Sequence, residues 1–174
     1  MTVSARAALR SATRAKHDRV DAAFGRFDLT DRFSYGRFLT AHARALPAVE
    51  AAIAACEAIP AFARRTELLA RDLAEIGLSM PAPLALAPPE SEAAAFGALY
   101  VIEGSRLGGA ILARQVSDDL PRAYLSAIHP PGAWRAFGEM LDRAGKTGGP
   151  SWLDQAIAAA EATFDLYTGA VDAA

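Results

Sequence analysis

The 174-residue chain is the size of one domain, long enough to bury a core and too short for two comfortable ones, so a single domain over 1–174 is expected. Its 52% hydrophobic and 22% charged residues exclude a disordered chain. Eighteen basic against 20 acidic residues, with neither sign gathered into a run, argue against nucleic acid or an anionic membrane as partner.

In chain order, Ser4 caps a first amphipathic helix that runs to about Phe24 without proline or glycine, with Leu9, Val20 and Phe27 on one side. A second helix starts near Thr30 or Ser34, carries Phe38, Leu39, Leu46, Val49 and Ile53, holds Pro47 inside it, and ends at Pro60. Thr66 to Ile76 is a shorter helix followed by Gly77, and the proline-rich segment Ser79 to Pro89 is a loop. Ser91 then caps a long helix through Val116. A connection from Asp118 to Gly132 leads to a helix over Ala133 to Ala144, and Gly148-Gly149-Pro150 precedes a last helix opened by the capping pattern Ser151-Trp152-Leu153-Asp154. No alternating strand pattern appears, so the fold class is an all-α multi-helix bundle.

Cys56, the lone cysteine, has no disulfide partner in the chain and reads as a small buried thiol in the apolar run from Ala51. Arg10, Arg14 and Lys16 follow the N-terminus before any apolar stretch develops, so no signal peptide is read. The longest apolar stretch, Ala93 to Leu112, carries Glu103 and Arg106 at its centre and makes a poor membrane span. A cytoplasmic protein is expected.

Two features bear on chemistry. On the first helix His17 lies beside the apolar stripe, with Arg10, Arg14 and Asp21 just past it on the polar side. That arrangement suits a flat, apolar ligand with a metal centre and an anionic edge; a boundary histidine among solvated arginines is the plainer alternative. Gly97, Gly104, Gly108 and Gly109 fall within one predicted helix. Each costs about 0.5–1 kcal/mol against alanine there, which either a close helix crossing or a ligand lying on bare backbone would offset. His42 reads as a helix-surface or boundary residue and His129, before Pro130-Pro131, as a loop residue. Glu-x-x-His pairs, phosphate loops, dinucleotide fingerprints and Cys-x-x-Cys sites are absent.

The segment Leu9-Arg10-Ser11-Ala12-Thr13-Arg14-Ala15-Lys16-His17 resembles the proximal-helix signature of the heme oxygenases. Leu99-Tyr100-Val101-Ile102-Glu103-Gly104-Ser105-Arg106-Leu107-Gly108-Gly109 resembles the distal helix of their bacterial branch, including the form associated with bacteriophytochromes. The likeness extends over nearly the whole chain in helix order and length, through a final alanine-rich helix with Phe164.

The resemblance implies a heme oxygenase-like bundle with His17 as proximal iron ligand and Arg10 and Arg14 toward the propionates. It implies Gly104 and Gly108 letting the distal helix kink over the heme, and Ser105 and Gly109 lining the distal pocket. It further implies heme as both cofactor and substrate, cleaved with O2 and electrons from a ferredoxin, flavodoxin or ascorbate-like donor to biliverdin, CO and iron. Ser105 stands where many members carry an aspartate that organises distal water, which puts the detailed proton relay in doubt. Arg106 is not placed by the pattern, and no basic residue on the last helix completes a propionate site. The alternative is a regulatory or binding module that keeps the fold beside a bacteriophytochrome or signalling kinase; retention of His17 and the distal glycines favours the enzyme.

Overall fold

The hydroxyl of Ser4 accepts the N–H of Ala7 and starts α1 (Ala5–Ala12). The helix expected to continue to Phe24 breaks at Thr13 in the computed structural model, which describes residues 4–174. Thr13 is buried, its hydroxyl donates to the Leu9 carbonyl at 2.8 Å, and its backbone relaxes to φ −88, ψ 0 before α2 (Arg14–Phe24) resumes. A threonine bonding back to the carbonyl four residues earlier bends a helix without any glycine or proline to announce it.

α3 (Arg32–Ala54) starts between Thr30 and Ser34 as expected, capped by Asp31, whose carboxylate accepts the Ser34 N–H at 2.7 Å. Pro47 sits inside it without ending it, and the helix stops before Pro60, so Cys56 lies past its end and is partly exposed rather than buried. α4 (Thr66–Glu75) is followed by Gly77 at φ +78. α5 (Glu92–Leu112) starts on the Ser91 hydroxyl as expected but ends short of Val116. There Arg114 and Gln115 donate to Ile111 and Leu112, tighter turns that no longer continue an α-helix.

The two expected C-terminal helices are present, joined end to end as α6 (Ala133–Asp172) across a kink at Gly149, whose φ 70 and ψ −160 suit glycine before Pro150. Ser151 therefore lies in the first turn of the second of these helices, just after the kink. A Cβ on Gly148 would fall 2.4 Å from Trp152, so the kink closes over that indole.

α6 is the spine of the bundle: α1, α2, α3 and α5 all pack on it, and α3 also packs on α4 and α5. Leu39, Leu46 and Ile53 from α3, Leu69 and Leu73 from α4, Leu99 and Ile102 from α5 and Leu141, Ala156 and Ala160 from α6 are buried together. No strand occurs among the described residues, and no helix among them is long and apolar enough to cross a membrane. α1 and α2 take their packing from α6, as α5 does, and make no substantial contact with α5. α2 and α5 thus both stand on α6 without packing on each other.

Candidate functional site

Gly97 marks the place where α5 and α6 cross. A Cβ there would lie 2.0 Å from the Ala156 carbonyl oxygen, so this glycine answers to packing. Gly104 lies on nearly the same face of α5 about two turns further on, and Gly108 one turn beyond that. A Cβ on Gly104 would meet only the Trp134 ring, at 3.7 Å, and one on Gly108 would meet nothing within 4 Å. The two helices thus part along this face and leave bare backbone. α5 runs through both glycines as one helical element, so they present open backbone without interrupting it. Gly109 faces the other way, its Cβ direction 3.2 Å from the Leu125 carbonyl oxygen, and is buried against the connection to α6.

α2 is fastened to α6 by Lys16 Nζ, 2.6 Å from the Asp165 carboxylate. The next residue, His17, sets its ring edge-on to Phe164 at 5.8 Å and keeps its side chain 58% exposed. Nδ1 lies 3.2 Å from Asp21 Oδ2. A carboxylate on one ring nitrogen fixes the imidazole and leaves Nε2 to act as a ligand, the arrangement that metal-binding histidines adopt. Arg10 and Arg6 are close enough to the Tyr100 hydroxyl on α5 for their charges to act on it, opposing the upward pKa shift that burial causes. Arg14 points to solvent, 82% exposed, with Asp18 at 4.0 Å.

A polar network lies behind the glycine face. Ser105 Oγ donates to the Ile102 carbonyl at 2.7 Å and accepts from Arg65 Nη2 at 2.8 Å, and the same Arg65 nitrogen donates to Ile102 O at 2.7 Å. Glu50 holds this corner by accepting the Arg65 N–H at 2.7 Å and the Thr66 hydroxyl at 2.7 Å. Arg65 lies over the Tyr124 ring at 5.2 Å, and the Tyr124 hydroxyl is 2.8 Å from His42 Nδ1. His42 is thus a boundary residue, partly exposed and set in an aromatic box with Phe24 at 4.5 Å and Phe38 at 4.6 Å. The signal was present in the sequence, since His42 follows buried Phe38 by four residues and precedes buried Leu46 by four, on one helix face.

Burial pushes the His42 pKa down to about 3 from 6.5, and the charge of Arg65 adds to the effect. The unfolded chain takes up a proton that the folded one refuses, so stability is insensitive to this group above about pH 6.5. It falls as the pH drops toward the folded value, by up to about 1.4 kcal/mol per pH unit. Urea melts of the protein and of His42→Phe at about pH 4.5 and about pH 7 check this: the variant should lose less stability on acidification.

Arg106, left unplaced by the sequence, is buried and spends its guanidinium on Glu103 at 3.1 Å, on the Ala127 carbonyl at 3.1 Å and on the Ala63 carbonyl. Glu103 also meets His129 Nε2 at 2.9 Å. His129, expected in a loop, is in the 118–132 connection, yet its side chain is only 10% exposed.

No family model matches the chain. Over 111 residues it is 37% identical to a curated protein named heme oxygenase from Xanthomonas campestris pv. campestris (strain 8004), an alignment covering 59% of this chain and 64% of that one. The match thus spans just under two thirds of the curated relative's length. Among solved structures the chain is similar to the NO- and CO-bound heme oxygenase of Neisseria meningitidis, with a TM-score of 0.80 and 25% identity, covering 99% of this chain and 92% of that one. The chain is thus similar to bacterial heme oxygenases, in sequence over that stretch and in fold over nearly its whole length.

Proposed function

We propose that the chain is a heme oxygenase that takes heme between α2 and α5 and cleaves it, with O2 and electrons, to biliverdin, CO and iron. One observation carries the reading: Gly104 and Gly108 present bare backbone to open space, and no protein contact accounts for them. They give up about 1–2 kcal/mol of helix propensity as a pair, which a flat ligand lying on the helix would offset. His17 fits the iron, since Asp21 engages Nδ1 and leaves Nε2 as donor.

Bound heme supplies the iron at which O2 is activated. His17 would hold the iron, with Asp21 orienting the imidazole. The run from Gly104 to Gly109 offers no side chain able to ligate iron and would leave access for a small gas. The Ser105 hydroxyl is engaged by Arg65 and the Ile102 carbonyl behind the glycine face, and would hold this stretch of α5 in place rather than present a strong acid to the ligand. Arg10, beside Tyr100, is placed to meet a carboxylate from the mouth of the cleft, with Arg14 further out.

The reading carries with it a cytoplasmic protein supplied by a ferredoxin, flavodoxin or ascorbate-like reductant. The likeness of the distal segment extends it to the bacteriophytochrome-associated type. Hemin titration followed by reductant under O2 tests the reading. A sharp Soret band saturating at an equimolar ratio, then replaced by the broad red absorbance of biliverdin, is expected. Absence of a Soret band on titration would overturn it.

A further inference from the structure

The proposed cleft is walled unevenly, and the unevenness points to a residue that decides how its ligand sits. This inference rests on the heme reading. Bare backbone at Gly104 and Gly108 lets a flat ring approach but gives it nothing to register against in its own plane. Toward Gly108 nothing stands within 4 Å of the missing side chain, whereas toward Gly104 the nearest atom belongs to Trp134, at 3.7 Å. Among the described residues, the indole alone comes within 4 Å of a Cβ built on Gly104.

Trp134 is also held firmly. It stands in the first turn of α6, directly after Pro130, Pro131 and Gly132, and Gly132 takes φ +83. Its ring is flanked by Phe137 at 5.7 Å, Tyr100 at 6.3 Å and His129 at 5.5 Å. His129 is fixed in turn by Glu103 at 2.9 Å, and Glu103 by Arg106. Because the partner of Nε2 is a carboxylate, that nitrogen carries the proton and donates. Glu103 and Arg106 flank Gly104 on α5, so the helix that presents the bare backbone also fixes the wall beside it.

We propose that Trp134 is the specificity-determining residue that sets the in-plane seat of the porphyrin, and with it which meso edge is cleaved, and that His129 is its positioning residue. A wall at one corner discriminates sterically between orientations that place a vinyl, a methyl or a propionate against it, while Arg10 and Arg14 restrain only the propionate edge.

Proton NMR of the ferric cyanide complex reads the seat without turnover, because each in-plane orientation gives its own set of shifted heme-methyl lines. The protein should show one dominant set. Trp134→Ala should change the ratio of sets by about tenfold or more, equivalent to about 1.4 kcal/mol, with Trp134→Phe between. His129→Leu should move the pattern in the same direction, while His129→Gln, whose amide still donates to Glu103, should retain the original one. A merely structural His129 would lower the melting temperature without moving the methyl lines. An unchanged pattern in heme-loaded Trp134→Ala overturns this inference alone. A protein that gives no heme-methyl lines at all overturns the heme-site reading, and the inference with it.

Discussion

His17→Ala is expected to abolish the native Soret band and EPR signature of the hemin complex and to reduce turnover to background, while the helical circular dichroism is kept. The expectation of an intact fold follows from exposure: the His17 side chain is 58% exposed and bonds only to Asp21 on its own helix. Truncating such a side chain changes stability by about 0.5 kcal/mol at most. The loss of ligation follows from the other two histidines, since His42 is enclosed by aromatic rings with Tyr124 on its Nδ1 and His129 is tied to Glu103. Neither is free to replace His17. Asp21→Ala should act in the same direction, weakening heme binding by about 10–100-fold, the usual effect of removing the group that orients a ligating imidazole. Added imidazole should restore a ligated spectrum to His17→Ala if the cleft is otherwise intact.

Two glycines on one face of α5 should respond oppositely to a side chain. Gly97→Ala puts a Cβ 2.0 Å from the Ala156 carbonyl, where backbone must shift, and should cost about 1–3 kcal/mol or more. For a chain of this length that corresponds to a fall in Tm of about 2–4 °C per kcal/mol. Gly108→Leu meets nothing within 4 Å and replaces a poor helix former by a good one, so the ligand-free protein should become more stable, by about 0.5–1 kcal/mol. Hemin binding should nevertheless be lost, because the isobutyl group fills the space where the ring would lie. Differential scanning calorimetry and hemin titration on the same samples separate the two effects. A Gly108→Leu protein that binds hemin like its parent would show that the open face is not the ligand face.

The helices themselves were legible because their signals are local. Ser4 and Ser91 cap where expected, Gly77 follows α4, and the prolines of 79–89 leave a loop. The break at Thr13 was hidden because a hydroxyl bonding to its own helix leaves no mark in the hydrophobic pattern. Gly97 and Gly108 illustrate a deeper limit: both are glycines in one apolar helix, and only the position of Ala156 tells a crossing from a cradle. Glu50, Arg65 and Asp72 belong to no motif, and charge alone would place them in solvent. Asp72 instead accepts the backbone N–H groups of Ala123 and Tyr124, at 3.1 and 2.8 Å, and Glu50 serves Arg65 and Thr66 in the same way. Those partners are distant in sequence. The nearest hint was a charge set in an apolar stripe, Asp72 between Leu69 and Leu73 and Glu50 beside Val49.

CO released per bound heme is the most direct measurement of the proposed activity. With O2 and either ascorbate or reduced ferredoxin, the hemin complex should release CO in an amount equimolar with the heme consumed, as the Soret band gives way to biliverdin. His17→Ala and Gly108→Leu should release none. Tight hemin binding through His17 with neither CO nor biliverdin under either reductant would contradict the assignment as an oxygenase and leave a heme-binding module on the same fold.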